Sequence, residues 1–170
     1  FNGRKSCSMK YIVKAFVFFL VISGKVLAQT PAQKIPDFNF FKLNKQSFSN
    51  KDLEPGKMLF FVFFDADCDH CQQAIQYLDK HYKDFKKAAI YLITLDSLAT
   101  INRFMAKYGS GLKDKKNVTL LQDTKYEFMR KFRPRKYPSM FLYSVKKELI
   151  LYDDNEKNVS GFSKHIIVGR

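Results

Sequence analysis

The sequence predicts an α/β fold in which helices cover both faces of one central mixed sheet. Apolar runs alternate along the chain with segments whose apolar residues recur at helical spacing. The continuous run Met58–Phe64 is typical of a strand that is buried on both faces. The last two predicted strands form a hairpin, which makes the sheet mixed rather than purely parallel.

The size and composition of the chain fit one domain with a substantial core. The chain has 170 residues, of which 46 % are hydrophobic, and this composition excludes a disordered protein. We divide it into residues 1–28, a lead-in over residues 29–36 and a domain over residues 37–170.

Residues 1–28 have the pattern of a secretory signal peptide preceded by a few upstream residues. Translation is expected to start near Met9; Lys10 and Lys14 follow, then the apolar stretch 15–22 and small residues up to Ala28. The alternative is a retained membrane anchor, but the apolar run is only about half of the roughly 20 residues that span a bilayer. We therefore expect cleavage near Ala28 and a periplasmic or otherwise extracytoplasmic protein, in an oxidising compartment.

The first half of the domain is predicted to contain a hairpin, a strand and a helix. Asn44-Lys45 is the turn between the two strands of an N-terminal β-hairpin, and Pro55-Gly56 marks a second turn. A helix is expected to start near Cys68, because apolar residues follow at spacings of three and four. The segments are strands Phe38–Phe41, Gln46–Phe48 and Met58–Phe64, and a helical face made of Cys71, Ala74, Ile75, Leu78 and Tyr82.

The second half alternates strands and helices before the closing hairpin. Ser97 is placed to cap a helix that Gly109 ends, and Pro134 stops a later helix. The predicted strands are Ala88–Leu95, Asn117–Leu121, Ser139–Ser144 and Glu148–Tyr152, and the predicted helices are Ser97–Tyr108, Thr124–Phe132 and Ser160–Val168.

Cys68 and Cys71 are predicted to form a redox pair at the start of a helix. Their i, i+3 spacing puts the Cβ atoms about 5–6 Å apart, so a small adjustment allows a disulfide. Such a bond closes a very short loop and would stabilise the fold little, which argues against a structural role. The helix N-terminus stabilises a thiolate. Cys68 is the expected attacking sulfur, and Cys71 the one that resolves the mixed disulfide.

Two other interpretations of the cysteine pair remain open. His70 with both cysteines could form a soft-metal site, for which copper is the best match. A zinc site is less favoured, since it usually needs two ligand pairs and the chain has three histidines and only one Cys-x-x-Cys. The pair could also be inert, because sequence by itself does not show reactivity.

The order of strand, Cys-x-x-Cys, helix and a later proline before an apolar strand resembles the thioredoxin superfamily. The closer resemblance is to exported proteins of the TlpA and ResA kind. Their N-terminal hairpin is similar to FNFFKLNKQSFSNKDLEPGK, and their helix, loop, proline and strand to YEFMRKFRPRKYPSMFLY. The resemblance implies a thioredoxin-like three-layer α/β/α fold with a central mixed sheet.

The resemblance also implies roles for two residues of the second motif. Pro138 would be a cis-proline facing the cysteines, and Tyr137 would offer its backbone to a substrate strand. The sequence departs from the family at Asp67, where tryptophan is common, and at Val62, where thioredoxins have a buried acid that relays protons.

Charged residues around Cys68 favour a reducing site. Asp65, Asp67 and Asp69 lie close to it in the sequence and disfavour a thiolate, whereas a protonated His70 favours it. Because the acids outnumber the imidazole, we expect a reductant. Asp67 or Asp69 could instead serve as a helix cap.

The chain is basic, with a formal net charge of +14. Export makes nucleic acid an improbable partner, so most of these charges are interpreted as a solvated surface. One cluster flanks Tyr137-Pro138 and could attract acidic substrates or an anionic membrane to the site: Lys125, Arg130, Lys131, Arg133, Arg135 and Lys136.

Taken together, the sequence predicts an exported, monomeric thiol–disulfide oxidoreductase that acts on protein cysteines. It would need no cofactor, and a membrane partner is expected to restore its dithiol. The alternatives are a copper carrier that uses Cys68, Cys71 and His70, or a redox-inactive adaptor with the same fold. A peroxidase is less favoured, because peroxiredoxins place their key cysteine differently.

Overall fold

The computed structural model describes residues 29–169 of the chain. The predicted signal segment, residues 1–28, lies outside the described residues. Seven strands form one sheet in the order β2-β1-β5-β4-β3-β6-β7. The strands are β1 Asn39–Lys42, β2 Ser47–Ser49, β3 Leu59–Phe63, β4 Ala89–Thr94, β5 Val118–Gln122, β6 Ser139–Tyr143 and β7 Leu149–Asp153.

Among residues 29–169, five α-helices and two short 3₁₀ turns accompany the sheet. The helices are α1 Asp69–Lys80, α2 Tyr82–Phe85, α3 Leu98–Tyr108, α4 Glu127–Phe132 and α5 Val159–Val168, and the 3₁₀ turns are Asn50–Asp52 and Glu156–Asn158. Strands β3, β4 and β5 are parallel, whereas β6 pairs antiparallel with β3. The α/β fold, the mixed sheet and the N-terminal hairpin predicted from the sequence are therefore confirmed.

Strand β3 is buried on both faces because it lies inside the sheet, between β4 and β6, and a packed core covers each face. Successive side chains of a strand point to opposite faces, so Phe60 and Val62 contribute to one core and Phe61 and Phe63 to the other. Helices α1, α3 and α5 pack on the first face. Helix α4 packs on the second, together with aromatic residues of the N-terminal hairpin. This arrangement is the predicted three-layer architecture.

Two helix boundaries differ from the prediction. Helix α1 ends at Lys80, because the backbone of His81 leaves the helical region, and Tyr82 begins a separate short helix. Helix α4 begins at Glu127 rather than Thr124. The buried carboxylate of Asp123 accepts the N–H groups of Lys125 and Phe128 at 3.1 and 2.8 Å and so holds the intervening residues in a turn.

The lead-in over residues 29–36 is joined to the domain by backbone hydrogen bonds. The N–H of Ala32 donates to the carbonyl of Phe132 at 2.9 Å, and Gln33 accepts from Leu149 at 2.8 Å. The buried hydroxyl of Tyr143 also donates to the Ala32 carbonyl. Within residues 29–169, no helix combines the length and apolar character needed to cross a bilayer.

Candidate active site

The two cysteines lie where β3 ends and α1 begins. Pairing with β4 continues one residue past β3, since the N–H of Phe64 donates to Ile93 at 2.9 Å. Cys68 is the N-cap of α1, and its Sγ accepts the N–H of Cys71 at 3.4 Å. The Cys68 side chain is half-buried, whereas Cys71 is fully buried in the core beneath it. The outer sulfur is therefore the one that solvent reaches.

Burial governs the electrostatics of Cys71. It raises the pKa of this thiol well above the ordinary value, because a thiolate would lose its hydration inside the core. The backbone N–H of Asp65 donates to its Sγ at 3.5 Å and offsets a part of this effect. Cys68 and the carboxylate of Asp65 act in the same direction as burial. Cys71 is thus a neutral thiol at physiological pH.

Carboxylates fix the loop that leads from β3 to Cys68. Oδ1 of Asp65 accepts the N–H of Asp67 at 2.9 Å. Oδ2 of Asp96, just after β4, accepts the N–H of Ala66 at 2.9 Å and the hydroxyl of Thr94 at 2.6 Å. Asp96 is not among the site residues predicted from the sequence. The signal that could have found it is its position at the carboxyl end of a strand parallel to β3.

The other two acids of the predicted cluster are exposed. Asp67 precedes Cys68, and Asp69 occupies the first turn of α1. The N-cap is Cys68 itself, so the capping role considered for Asp67 or Asp69 is wrong: the Cys68 sulfur takes the place of an oxygen acceptor. Both carboxylates remain free to act on the cysteine through their charge.

His70 is turned toward the 3₁₀ turn Glu156–Asn158, which directly precedes α5. Its Nδ1 lies 3.3 Å from Oε1 of Glu156, whose side chain is only 10 % exposed. Glu156 was not identified from the sequence, because this contact joins residues far apart in the chain. Among residues 29–169, no group of three or more His, Cys, Asp or Glu side chains is arranged to hold a metal ion.

Tyr137 and Pro138 lie at the same edge of the sheet as the cysteines. Phe63 pairs with Ser139, so the residues just before β6 lie beside the end of β3. The Tyr137–Pro138 bond is cis, as the resemblance implies. The Tyr137 ring packs on Phe63 with 4.8 Å between ring centroids.

The environment of Tyr137 disfavours ionisation of its hydroxyl. Burial raises its pKa to about 12, and the negative charges of Asp65, Asp96 and Asp123 act in the same direction, as does Cys71 in solution alkaline enough to ionise it. Asp65, Asp96 and Asp123 follow β3, β4 and β5, which are neighbours in the sheet, and Cys71 lies in the first turn of α1. The structure therefore brings the cysteines, Tyr137 and three strand-end carboxylates to one edge of the sheet.

Ion pairs neutralise part of the positive charge of the basic cluster predicted around Tyr137-Pro138. Arg135 lies 2.8 Å and Lys136 3.7 Å from Asp154, and Lys131 lies 2.8 Å from Glu127. The backbone N–H of Arg135 also donates to the hydroxyl of Tyr152 at 3.0 Å. The contacts of Arg135 and Lys136 fix the loop before Pro138, whereas the Lys131–Glu127 pair lies within α4, so part of the cluster has a structural role.

Comparison with known proteins shows a family match and a related oxidoreductase. Residues 31–155 match the model of the AhpC/TSA family. The thiol–disulfide oxidoreductase ResA of Bacillus subtilis is 22 % identical over 147 residues, which cover 85 % of this chain and 75 % of ResA.

Solved structures show the same fold at low sequence identity. MTB DsbF, solved in mixed oxidised and reduced forms, has a TM-score of 0.65 at 16 % identity and covers 78 % of this chain and 95 % of its own. A secreted Mycobacterium tuberculosis disulfide oxidoreductase homologous to E. coli DsbE has a TM-score of 0.61 at 18 % identity, over 75 % and 94 % of the two chains. The fold is therefore thioredoxin-like, and the resemblance to ResA-type proteins is confirmed.

Proposed function

The chain belongs to the AhpC/TSA family, and on that premise we propose that it is a thiol–disulfide oxidoreductase that acts on protein cysteines. The observation that carries the proposal is the pairing of an accessible Cys68 with a buried Cys71 at the start of α1. The related ResA is a thiol–disulfide oxidoreductase, which supports the same chemistry here.

The reaction consists of two exchanges of sulfur–sulfur bonds. The Cys68 thiolate attacks one sulfur of a substrate disulfide and forms a mixed disulfide with it. The other substrate sulfur is released as a thiolate and takes up a proton. Cys71 then loses its proton and attacks Sγ of Cys68. The second substrate thiol leaves, and a Cys68–Cys71 disulfide remains. Two electrons have moved from the enzyme to the substrate, and the protons of the two product thiols are the one that Cys71 loses and the one that Cys68 released when it ionised.

Two features support a reducing direction. Burial keeps Cys71 protonated, and Asp67 and Asp69 add negative charge around the outer sulfur. A disulfide is a stronger oxidant when its reduced form is stabilised as a thiolate. A site that disfavours thiolates should therefore have a potential closer to the thioredoxin value, about −270 mV, than to the DsbA value, about −120 mV.

The reductant must itself be reduced after each cycle. We propose a membrane protein as electron donor and an extracytoplasmic location, supported by the signal-like pattern of residues 1–28. The secreted disulfide oxidoreductase of similar structure supports the same location. The two cysteines carry out both steps of the proposed exchange, and no cofactor takes part in it.

The test is reduction of a disulfide-containing polypeptide, with dithiothreitol as the final electron donor. The third cysteine of the sequence, Cys7, lies within residues 1–28, so any variant that retains this segment should carry Cys7→Ser and leave the pair as the only thiols. Turnover should be lost in Cys68→Ser. Cys71→Ser should accumulate the mixed disulfide with substrate, because the attacking sulfur remains and the resolving sulfur is absent.

Each alternative function gives a different result in the same experiment. A redox-inactive adaptor would show no turnover above that of Cys68→Ser. A copper carrier would bind Cu(I) stoichiometrically through the cysteines and His70, and His70→Ala would weaken that binding. Either result without disulfide turnover would reject the proposed oxidoreductase.

A further inference from the structure

An open groove lies between the cysteine loop and helix α3. It has a volume of about 320 Å³, and we call it the basic groove. One wall is formed by residues around Cys68, namely Ala66, Asp67 and Gln72. The other wall is formed by one face of α3, with Thr100, Arg103, Phe104, Lys107 and Tyr108. Its first wall thus includes the residue that directly precedes the attacking cysteine.

The walls of the basic groove are held in place by internal contacts. Ala66 donates its N–H to Asp96 at 2.9 Å, and its carbonyl accepts from Nε2 of Gln72 at 3.5 Å. Phe104 is 4 % exposed and stacks on Phe64 with 4.9 Å between ring centroids. The groove therefore has a fixed polar wall and an aromatic base.

The charges of the groove are not balanced within the protein. Arg103 and Lys107 are one helical turn apart on the same face of α3, and both are exposed. Neither forms an ion pair with a carboxylate among residues 29–169. Nζ of Lys107 lies 4.9 Å from the centroid of the Tyr108 ring. Asp67 is the one acid in the lining, so the groove keeps an excess of positive charge.

We propose that the basic groove binds an acidic side chain of the substrate polypeptide, a few residues away from the cysteine that Cys68 attacks. This inference rests on the proposed oxidoreductase function and names the class of its substrate. Two cations without a carboxylate partner, Arg103 and Lys107, supply the attraction for a carboxylate, and the aromatic base accommodates an apolar neighbour. The groove is at the lower end of ligand-site volumes, about 300–1,000 Å³, which suits a short peptide segment.

The geometry of α3 sets the position of the acid in the substrate. The helix begins at the sheet edge where the cysteines lie, so Arg103 is nearer to Cys68 and Lys107 is farther along. The span from Thr100 to Lys107 is about 10 Å at 1.5 Å per residue. An extended substrate covers it with about three residues. An acid directly beside the substrate cysteine would instead meet Asp67 and Asp69 and be repelled.

The test uses three symmetrical peptide disulfides that differ at single positions. One has glutamate three residues from its cysteine, the second has glutamine there, and the third has glutamate beside the cysteine. Their second-order rate constants with the reduced protein are measured by stopped flow. We expect the first to react about 3- to 10-fold faster than the second, as two partly exposed ion pairs would give, and the third to react more slowly than the second.

The double variant Arg103→Gln/Lys107→Gln should bring the ratio of the first two rates close to one. Raising the salt from about 0.1 M to 1 M should do the same, because the Debye length falls from about 10 to 3 Å. The matched control is Lys86→Gln/Lys146→Gln, which also removes two exposed cations. These lie near the starts of β4 and of the β6–β7 turn, at the opposite end of the sheet, so the control should keep the preference.

The possible outcomes separate this inference from the function on which it rests. If none of the peptides is reduced, the oxidoreductase proposal fails. Equal rates for the first two peptides, with both reduced, would reject the basic groove alone. Glutathione disulfide is measured beside the peptides as a fourth substrate. If the double variant slows only its reduction, the occupant is a small carboxylated thiol, and the polypeptide assignment is wrong.

Discussion

The carboxylate of Asp96 holds the backbone of Ala66, two residues before Cys68. Its Oδ2 accepts the Ala66 N–H at 2.9 Å and also the hydroxyl of Thr94 at 2.6 Å. The end of β4 thereby fixes the loop that follows β3, across two parallel strands of the sheet. The position of Cys68 thus depends on a residue that follows it by 28 positions in the chain.

Replacing Asp96 by alanine should destabilise the protein by about 1–3 kcal/mol, because a nearly buried N–H and the buried Thr94 hydroxyl lose their acceptor. Asp96→Asn keeps one acceptor oxygen and should cost less. Urea unfolding measures both, and the disulfide reduction rate should fall in the same order. Asp114→Ala, which removes an exposed carboxylate, is the control and should change stability by less than about 0.5 kcal/mol. An Asp96→Ala protein as stable as this control would contradict the argument.

Removing the exposed acids beside Cys68 should make the site more oxidising. In Asp67→Asn/Asp69→Asn two negative charges that disfavour a thiolate are lost. Exposed pairs of charges contribute about 0.2–1 kcal/mol each, and 30 mV corresponds to about 1.4 kcal/mol for two electrons. The potential should therefore rise by roughly 10–40 mV, as measured by equilibration with glutathione. No change, or a fall, would show that these acids do not act on the sulfur.

Glu156 should affect the same potential through its own negative charge. The nearly buried carboxylate lies 3.3 Å from the imidazole, so Glu156→Gln removes a negative charge near the start of α1. We expect the potential to rise by about 5–20 mV, by the same conversion of an ion-pair energy. Glu148→Gln, which removes an exposed carboxylate in the turn between β6 and β7, serves as the control. Equal potentials in the two variants would exclude a role for Glu156.

Stability should fall in alkaline solution because several buried groups resist ionisation. Burial raises the pKa of Tyr143 and Cys71 well above their ordinary values of 10.0 and 9.0, and that of Tyr137 to about 12. The protons are held more tightly in the folded state than in the unfolded state. The contribution of these groups is therefore fully present below about pH 9 and is lost as the pH rises toward their folded pKa values.

Tyr143→Phe isolates one of these groups. The variant loses the hydrogen bond to Ala32 and should be less stable at pH 7 by about 0.5–1.5 kcal/mol. Above pH 10 its stability should fall less steeply than that of the wild type, by up to about 1.4 kcal/mol per pH unit. Urea unfolding at pH 7 to 11 measures this difference in slope. Parallel curves would mean that Tyr143 ionises equally in both states.

Local patterns were sufficient to predict most elements of the fold. The unbroken apolar run of β3 predicted a central strand, and the spacing of Cys71, Ala74, Ile75 and Leu78 predicted the buried face of α1. Ser97 does cap α3, accepting the Thr100 N–H at 3.3 Å. The start of α4 was predicted incorrectly, because the side chain of Asp123 captures N–H groups that a helix pattern would assign to the first turn.

The amino-acid sequence by itself determined the order of strands and helices, the cysteine pair at the tip of a helix, and which of the two sulfurs is buried. These features follow from the spacing of apolar residues within short segments. Only the tertiary structure decided that Asp96 fixes the loop before Cys68, that Glu156 meets His70, and that Arg103 and Lys107 line a groove beside the site. Each of these contacts joins residues from separate elements, and chain packing, which no local period encodes, brings them together.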